Sequence, residues 1–163
     1  MKMTPSVTIE EMREDDFGDV IRIDHLAFRS YNLPPRTRKN IAYAYSVNPA
    51  GCFTAKHDDS TVGFIFSRTW GSIGWLGTFG VDEAYRGAGI GKRLLRAARA
   101  GLQENERCPV IGLETPAESG YNIGFYRRAG FRIITPTLIV EKEITDAREG
   151  CQEIVPPAAG WRR

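Results

Sequence analysis

Long hydrophobic runs are missing from this chain. None of its 163 residues lies in a stretch approaching membrane-spanning length. The opening Met1-Lys2-Met3-Thr4-Pro5-Ser6 lacks the apolar core of a secretion signal. Cysteine is scarce: Cys52, Cys108 and Cys151 stand far apart, odd in number and without a Cys-x-x-Cys. That argues against a disulfide framework and against a zinc or other metal site, and it fits a reducing compartment. Neither sign of charge dominates, since 22 Lys and Arg face 20 Asp and Glu for a net charge of +2. Bulk electrostatics therefore give no reason to expect nucleic acid or a membrane surface as partner. Internal repeats are also absent. What remains is the composition of an ordinary globular protein, 42% hydrophobic and 26% charged. The expectation is a cytoplasmic protein with one domain over residues 1–144 and an extended or mobile tail over 145–163, where no regular pattern survives and Trp161 is the only large anchor.

Periodicity places the elements. Val7 to Glu10 alternates as a short strand. Residues 16–29, with Asp15-Asp16 as cap and Phe17, Val20, Ile21, Ile23 and Leu26 as stripe, read as an amphipathic helix. His25 near its end reads as a surface or satisfied residue. Pro34-Pro35 closes this unit, and Arg36-Thr37-Arg38-Lys39 opens a second helix to about Ser46. Its basic start is either a solvated face, the favoured reading, or an attractor for an acidic substrate. Residues 51–56 and 61–69 form a hairpin around His57-Asp58-Asp59-Ser60. After a turn at 70–74, a fourth strand runs from Trp75 to Val81. Gly77 and Gly80 inside it are costly unless the strand bulges or another backbone comes close. Ile90, Leu94, Leu95, Ala98 and Leu102 give a helical stripe to about Asn105. A fifth strand covers Val110 to Glu114. A compact helix runs from about Tyr121 to Ala129, stopped by Gly130. Phe131–Ile134 and Leu138–Ile144 read as a closing strand pair. The order is that of a mixed α/β fold with one central sheet.

The stretch that carries chemistry is Val81-Asp82-Glu83-Ala84-Tyr85-Arg86-Gly87-Ala88-Gly89-Ile90-Gly91-Lys92. It joins a strand to a helix, and its three glycines leave backbone N–H groups uncovered where the helix dipole is positive. It is not a Walker A loop, because Gly91-Lys92 is followed by Arg93 and Arg86 stands where the first glycine belongs. It is not the dinucleotide fingerprint, because the spacing is Gly87-x-Gly89-x-Gly91. Helix starts favour acidic residues, yet this one gathers Arg86, Lys92 and Arg93, with Arg96 and Arg99 following. Cations at that end of a dipole call for an anion among them.

At this point the chain resembles the Gcn5-related N-acetyltransferases, the GNAT superfamily. Their signature Arg/Gln-x-x-Gly-x-Gly/Ala matches Arg86-Gly87-Ala88-Gly89-Ile90-Gly91. Phe125-Tyr126-Arg127-Arg128-Ala129-Gly130-Phe131 is similar to the family's Leu-Tyr-x-x-x-Gly-Phe. The strand order agrees as well, so the resemblance covers about residues 7–144. It implies the GNAT-like acyl-CoA N-acyltransferase fold: a mostly antiparallel sheet with splayed fourth and fifth strands, flanked by about four helices. It also implies acetyl-CoA as acyl donor and transfer to an amine. Carried over by position, main-chain groups of Phe79, Gly80 and Val81 would pair with the pantetheine arm. Arg86, Gly87, Ala88, Gly89, Ile90 and Gly91 would cradle the pyrophosphate with Lys92 nearby, and a Cβ at a glycine would hold the phosphates off the backbone.

Tyr126 falls where many members keep a general acid for the leaving thiolate; its plain alternative is a core tyrosine. Glu114 aligns with a base found in some ribosomal-protein N-acetyltransferases, with Glu83 and Glu118 as weaker rivals. Seven residues before Tyr126 the family often has an asparagine on the pantetheine, where this chain has Ser119. Asn122, four residues before Tyr126 on the same helix face, is positioned to take over that contact.

The resemblance puts the acceptor pocket at about Phe28 to Tyr45 and Thr135 to Thr137. Tyr31, Tyr43, Tyr45, Arg36 and Arg38 make this region aromatic and partly basic. It suits a small amine bearing a carboxylate or phosphate, or it is core plus solvated face. The leading expectation is an enzyme acting on a small-molecule amine. The alternatives are acetylation of a protein N-terminus or lysine, and a non-catalytic acyl-CoA-binding sensor. Family habit adds a homodimer.

Overall fold

A computed structural model of the protein describes residues 6–29 and 35–135. By its internal contacts the chain falls into two units, residues 1–132 and 133–163. Of the second, only 133–135 are described, and they are irregular. Among the described residues no helix is long and apolar enough to cross a membrane.

Five strands form one sheet in sequence order: β1 Thr8–Glu11, β2 Phe53–His57, β3 Ser60–Trp70, β4 Ile73–Val81 and β5 Val110–Leu113. The first four pair antiparallel, and β5 runs parallel to β4. Helix α1 (Phe17–Phe28) follows a 3-10 turn at Glu14–Asp16, and α2 (Arg38–Val47) is capped by the Thr37 side chain. Both cover one face of the sheet, where Phe17, Val20, Ile23 and Ile41 bury Phe64 and Phe66. Helix α3 (Ile90–Ala100) covers the other face, with Ile90, Leu94, Leu95 and Ala98 on Ala55, Ile65 and Leu76. Helix α4 (Gly120–Arg128) adds Phe125 and Tyr126 to that second cluster.

The two glycines flagged inside β4 have separate reasons. Between the pairs Ile65↔Phe79 and Ser67↔Leu76, two residues of β4 oppose Phe66 alone. That is a bulge, and a Cβ on Gly77 would sit 3.4 Å from the Phe66 carbonyl oxygen. Gly80 is instead roofed by side chains: its Cβ would meet Phe64 at 3.0 Å and Ile23 at 3.2 Å.

Some expectations needed correcting. The stripe ending at Asn105 is not one helix, because the last turn, Gly101–Asn105, widens to π geometry. Residues 131–135 form no strand, although one was expected at 131–134; the partner expected at 138–144, the boundary near 144 and the tail lie outside the described residues.

One polar network joins four elements. Asp16, 3% exposed, accepts hydrogen bonds from the Lys56 ammonium, the Thr61 hydroxyl and the Arg13 N–H. Burial raises its pKa, but those donors outweigh burial and hold it below the ordinary value. A carboxyl with depressed folded pKa stabilises the fold above its unfolded pKa and loses that contribution as pH falls through the folded one. We expect Asp16→Ala to cost about 3 kcal/mol near neutrality by leaving Lys56 without its counter-charge. In urea titrations the gap from wild type should narrow below about pH 4, where the carboxylate protonates.

Candidate functional site

The site begins where β4 and β5 part. Their ladder runs from Ile73↔Val110 to Leu76↔Leu113 and stops, while β4 continues to Val81. Among the described residues the β5 side of Gly77–Val81 has no strand partner. Alternate N–H and C=O groups there face an open edge. The expected splay of the fourth and fifth strands is this gap, and Phe79, Gly80 and Val81 line it.

At the end of β4 the chain makes a short 3-10 turn, Glu83–Tyr85, capped by Asp82, whose side chain accepts from Ala84 N–H at 3.1 Å. Arg22 of α1 and Arg29, the residue that caps its C-terminal end, hold this turn. Arg22 reaches Asp82 at 2.6 Å and Arg29 reaches Glu83 at 3.5 Å. The Arg22 hydrogen bond holds the Asp82 carboxyl below its usual pKa. Glu83, listed among weaker base candidates by sequence, also faces Arg86 at 3.4 Å, so its charge is already engaged. Arg22 and Arg29 were missed as site-shaping residues; their seven-residue spacing on one helix face was the available signal.

Beyond the turn, Gly87 (φ +85°) and Gly89 (φ +77°) take left-handed backbone, and Gly89 is the N-cap of α3 with no side chain to satisfy the first N–H groups. Neither glycine has an atom within 4 Å of where a Cβ would be. The N–H groups of Ala88, Gly89, Ile90 and Gly91 thus gather at a helix start whose first turn holds no acidic residue. Arg86, Gly87, Gly89 and Lys92 are exposed, Ala88 and Gly91 half-buried, and Ile90 buried in the core beneath α3.

Gly91 has a different reason from the other two. Its Cβ would lie 3.0 Å from Phe79 Cζ and 3.7 Å from Phe125 Cζ. Phe79 and Phe125 stack at 5.8 Å, Phe125 meets Tyr126 edge-on at 5.2 Å, and Tyr126 meets Phe131 at 6.0 Å. This aromatic row ties β4 to α4 directly under the glycine turn. Tyr126 is half-buried, its hydroxyl makes no hydrogen bond among the described residues, and burial pushes its pKa up to about 12.

A groove of about 450 Å³ opens between α3 and α4. Lys92, Arg96, Arg99 and Arg128 ring it over Leu95 and Phe125. Arg99 is committed to the fold, donating to Ala129 carbonyl at 3.1 Å and lying over Phe131. Lys92, Arg96 and Arg128 make no ion pair among the described residues. Arg128 was not singled out from sequence, although it belongs to the block around Tyr126.

Ser119 caps α4 by accepting from Asn122 N–H at 3.3 Å, so both residues meet at the helix start. Asn122 is half-buried. Glu114 follows the last residue of β5 and is exposed at the open end of the sheet, as is Glu118. Of the expected acceptor residues, Tyr45 packs edge-on against Phe17 at 5.4 Å and belongs to the core. Tyr43 is 71% exposed. Arg38 lies over Phe17 at 5.4 Å. Tyr31, Pro136 and Thr137 lie outside the described residues.

Comparison with known proteins is consistent with this geometry. The family described as "Acetyltransferase (GNAT) family" matches residues 11–131. Over 58 residues the chain is 38% identical to the spermine/spermidine N(1)-acetyltransferase of Bacillus subtilis, covering 36% of this chain and 38% of that protein. Over 83 residues it is 34% identical to N-alpha-acetyltransferase 30 of Saccharomyces cerevisiae, covering 51% of this chain and 43% of that protein. The chain thus spans less than half the length of these curated relatives. Among solved structures, PH1933 from Pyrococcus horikoshii superposes with a TM-score of 0.73 at 23% identity, over 82% of this chain and 94% of that one. The PaiA N-acetyltransferase of Thermoplasma acidophilum, solved in complex with coenzyme A, gives 0.71 at 15% identity, over 81% and 93%. At such identities the likeness is one of fold.

Left-handed backbone costs an L-residue about 1–2 kcal/mol. Gly89→Ala should therefore lower unfolding free energy by about that amount through strain alone, since there is space for the methyl. Gly120→Ala, equally open but without a positive φ, should be neutral or slightly stabilising. Parallel denaturant titrations of the two variants read the difference.

Proposed function

Because the chain belongs to the acetyltransferase (GNAT) family, we propose that it transfers an acetyl group from acetyl-CoA to a primary amine of a small molecule. The observation that carries this reading is the pairing of an open β4 edge with a glycine turn that ends it. An extended amide-bearing arm suits the first, and a pyrophosphate suits the second.

The residues fit that donor. Gly87 and Gly89 leave open space over their backbone, so an anion can reach the N–H groups of residues 88–91. Lys92, Arg96, Arg99 and Arg128 outnumber the single carboxylate, Glu104, in the adjoining groove, a net positive lining suited to a further phosphate. The free groups of Phe79, Gly80 and Val81 are the partners for the pantetheine amides. The Asn122 amide is a second partner, with the Ser119 hydroxyl beside it. When bound, acetyl-CoA supplies an activated acyl group with a thiol as leaving group.

The chain's own groups then handle protons. Tyr126 is protonated through the physiological range at its ordinary pKa and more firmly so with burial pushing that pKa up to about 12, and it donates its proton to the departing sulfur. Glu114, exposed beyond β5, accepts the proton of the incoming ammonium directly or through water.

The B. subtilis relative's name supports a small amine as acceptor. The S. cerevisiae relative's name supports a protein N-terminus as the second reading. A coenzyme-binding sensor is the third. A panel of amines and peptides, followed by thiol release, separates them: peptide-only release favours the second, and tight binding without release favours the third. In the proposed enzyme, Tyr126→Phe lowers kcat by about a hundredfold while the dissociation constant for coenzyme A stays level. An unchanged kcat removes Tyr126 from catalysis. Asn122→Ala raises the acetyl-CoA KM several-fold, about the worth of one hydrogen bond; unaltered KM and dissociation constant end its role.

A further inference from the structure

The open edge of β4 can be reached from two sides. Helices α3 and α4 with the basic groove occupy one, and α1 and α2 pack on the other. With the coenzyme's phosphates assigned to the glycine turn and basic groove, the α1 side is the one left for an amine attacking an acyl group held along that edge. Ile23 comes within 3.2 Å of where a Gly80 Cβ would be, and Arg29 pairs with Glu83. Residues 23–29 therefore run beside the reacting stretch.

Within them Asp24 is a buried carboxyl, 3% exposed. Its Oδ1 accepts from the Arg36 guanidinium at 2.5 Å, and the same guanidinium lies over the Phe28 ring at 5.5 Å. Burial pushes the Asp24 pKa up, against the pull of Arg36. Burying a carboxylate this way is expensive, and apolar packing would serve stability as well or better. What the pair does achieve is orientation. Arg36 stands just before the Thr37 cap of α2, where a helix dipole repels cations. Asp24 and Phe28 hold it there by one edge and one face, while its side chain stays 37% exposed. A guanidinium held by one N–H and one face in this way is oriented in advance, and its fork of donors is the geometry that carboxylates and phosphates match.

We propose that Arg36, positioned by Asp24 and Phe28, binds an anionic group of the acceptor, so that the cognate substrate is a small amine carrying a carboxylate or a phosphate. This rests on the acetyltransferase reading and narrows its substrate class. Polyamines, which carry only positive charge, would be repelled by the same fork. The match to the polyamine enzyme covers 36% of this chain, so it does not oblige the acceptor side to be alike.

The full chain is tested for thiol release with matched acceptors: amino acids beside their carboxamides, and aminoalkyl phosphates beside the corresponding aminoalcohols. The anionic member of a pair should be preferred by about tenfold or more in kcat/KM, carried in KM. Whichever pair shows the preference names the anion. Arg36→Gln should bring that ratio to about one, and Arg36→Lys, which keeps charge but not the fork, should leave it between. Asp24→Asn should reduce the ratio without matching Arg36→Gln, as a positioning residue would. Coenzyme A titration calorimetry on each variant reports that the donor site is still folded. A wild type that prefers the neutral members or polyamines overturns the proposal, as does an Arg36→Gln variant that lowers both members equally. Absence of coenzyme binding and of release with every amine overturns the acetyltransferase reading itself, and this inference with it.

Discussion

Three elements of the site meet at a side chain that is not there. At Gly91 the first turn of α3 lies against the Phe79 ring of β4, with the Phe125 ring of α4 just beyond. A Cβ there would require the edge of the Phe79 ring to give by a few tenths of an ångström. That ring stacks on Phe125, which in turn meets Tyr126. The glycine turn is therefore joined to Tyr126 through apolar contacts. A site whose polar groups are spaced by packed rings keeps its geometry without relying on exposed hydrogen bonds, which water weakens.

The sheet divides the work between its faces. One face carries α3, the basic groove and the aromatic row; the other carries α1 and α2. The divide is crossed where β5 abandons β4 after Leu76. The bulge at Gly77 falls at that same point, and a bulge bends its strand and increases the local twist. So the event that frees the β4 edge from β5 coincides with the event that re-aims it. On the far side Arg22 and Arg29 brace the end of the freed strand through Asp82 and Glu83. A strand with pairing on one side needs such bracing if its open groups are to hold a fixed line.

Most of this was legible in the sequence because it follows from short-range rules. Gly87, Gly89 and the cations after them announce an anion site by spacing alone. Gly77 and Gly80 announced an irregularity in β4, and the expected bulge is present at Gly77, while Gly80 is approached by the side chains of Phe64 and Ile23 rather than by another backbone. What was not legible depends on which side chains meet across the fold. Gly91 looked like a third phosphate-facing glycine until Phe79 was seen beneath it. Tyr45 could be read as pocket lining or as core, and its contact with Phe17 takes the second reading. The stripe to Asn105 kept helical spacing of its apolar residues, and that spacing does not register a change from α to π hydrogen bonding in the last turn. Phe131–Ile134 was expected as one strand of a closing pair, and residues 131–135 are irregular.

The electrostatics of the two helix starts make the strongest case for anionic ligands on both sides of the sheet. Helix α3 opens with Lys92 and Arg93 and no acid in its first turn; α2 opens with Arg38 and Lys39, Arg36 just ahead, and again no acid. Helix α1, by contrast, begins on Glu14, Asp15, Asp16 and Asp19, the arrangement that a helix dipole favours. The chain thus has the ordinary solution available and departs from it twice, at two helices that pack on opposite faces of the sheet. A misplaced cation costs a few tenths of a kcal/mol to about 1 kcal/mol, little enough to be tolerated once by chance. Repeated at both starts, with the α3 cations lacking ion-pair partners among the described residues and Arg36 tethered to Asp24, it is the pattern expected when charge is placed for a ligand rather than for the helix that carries it.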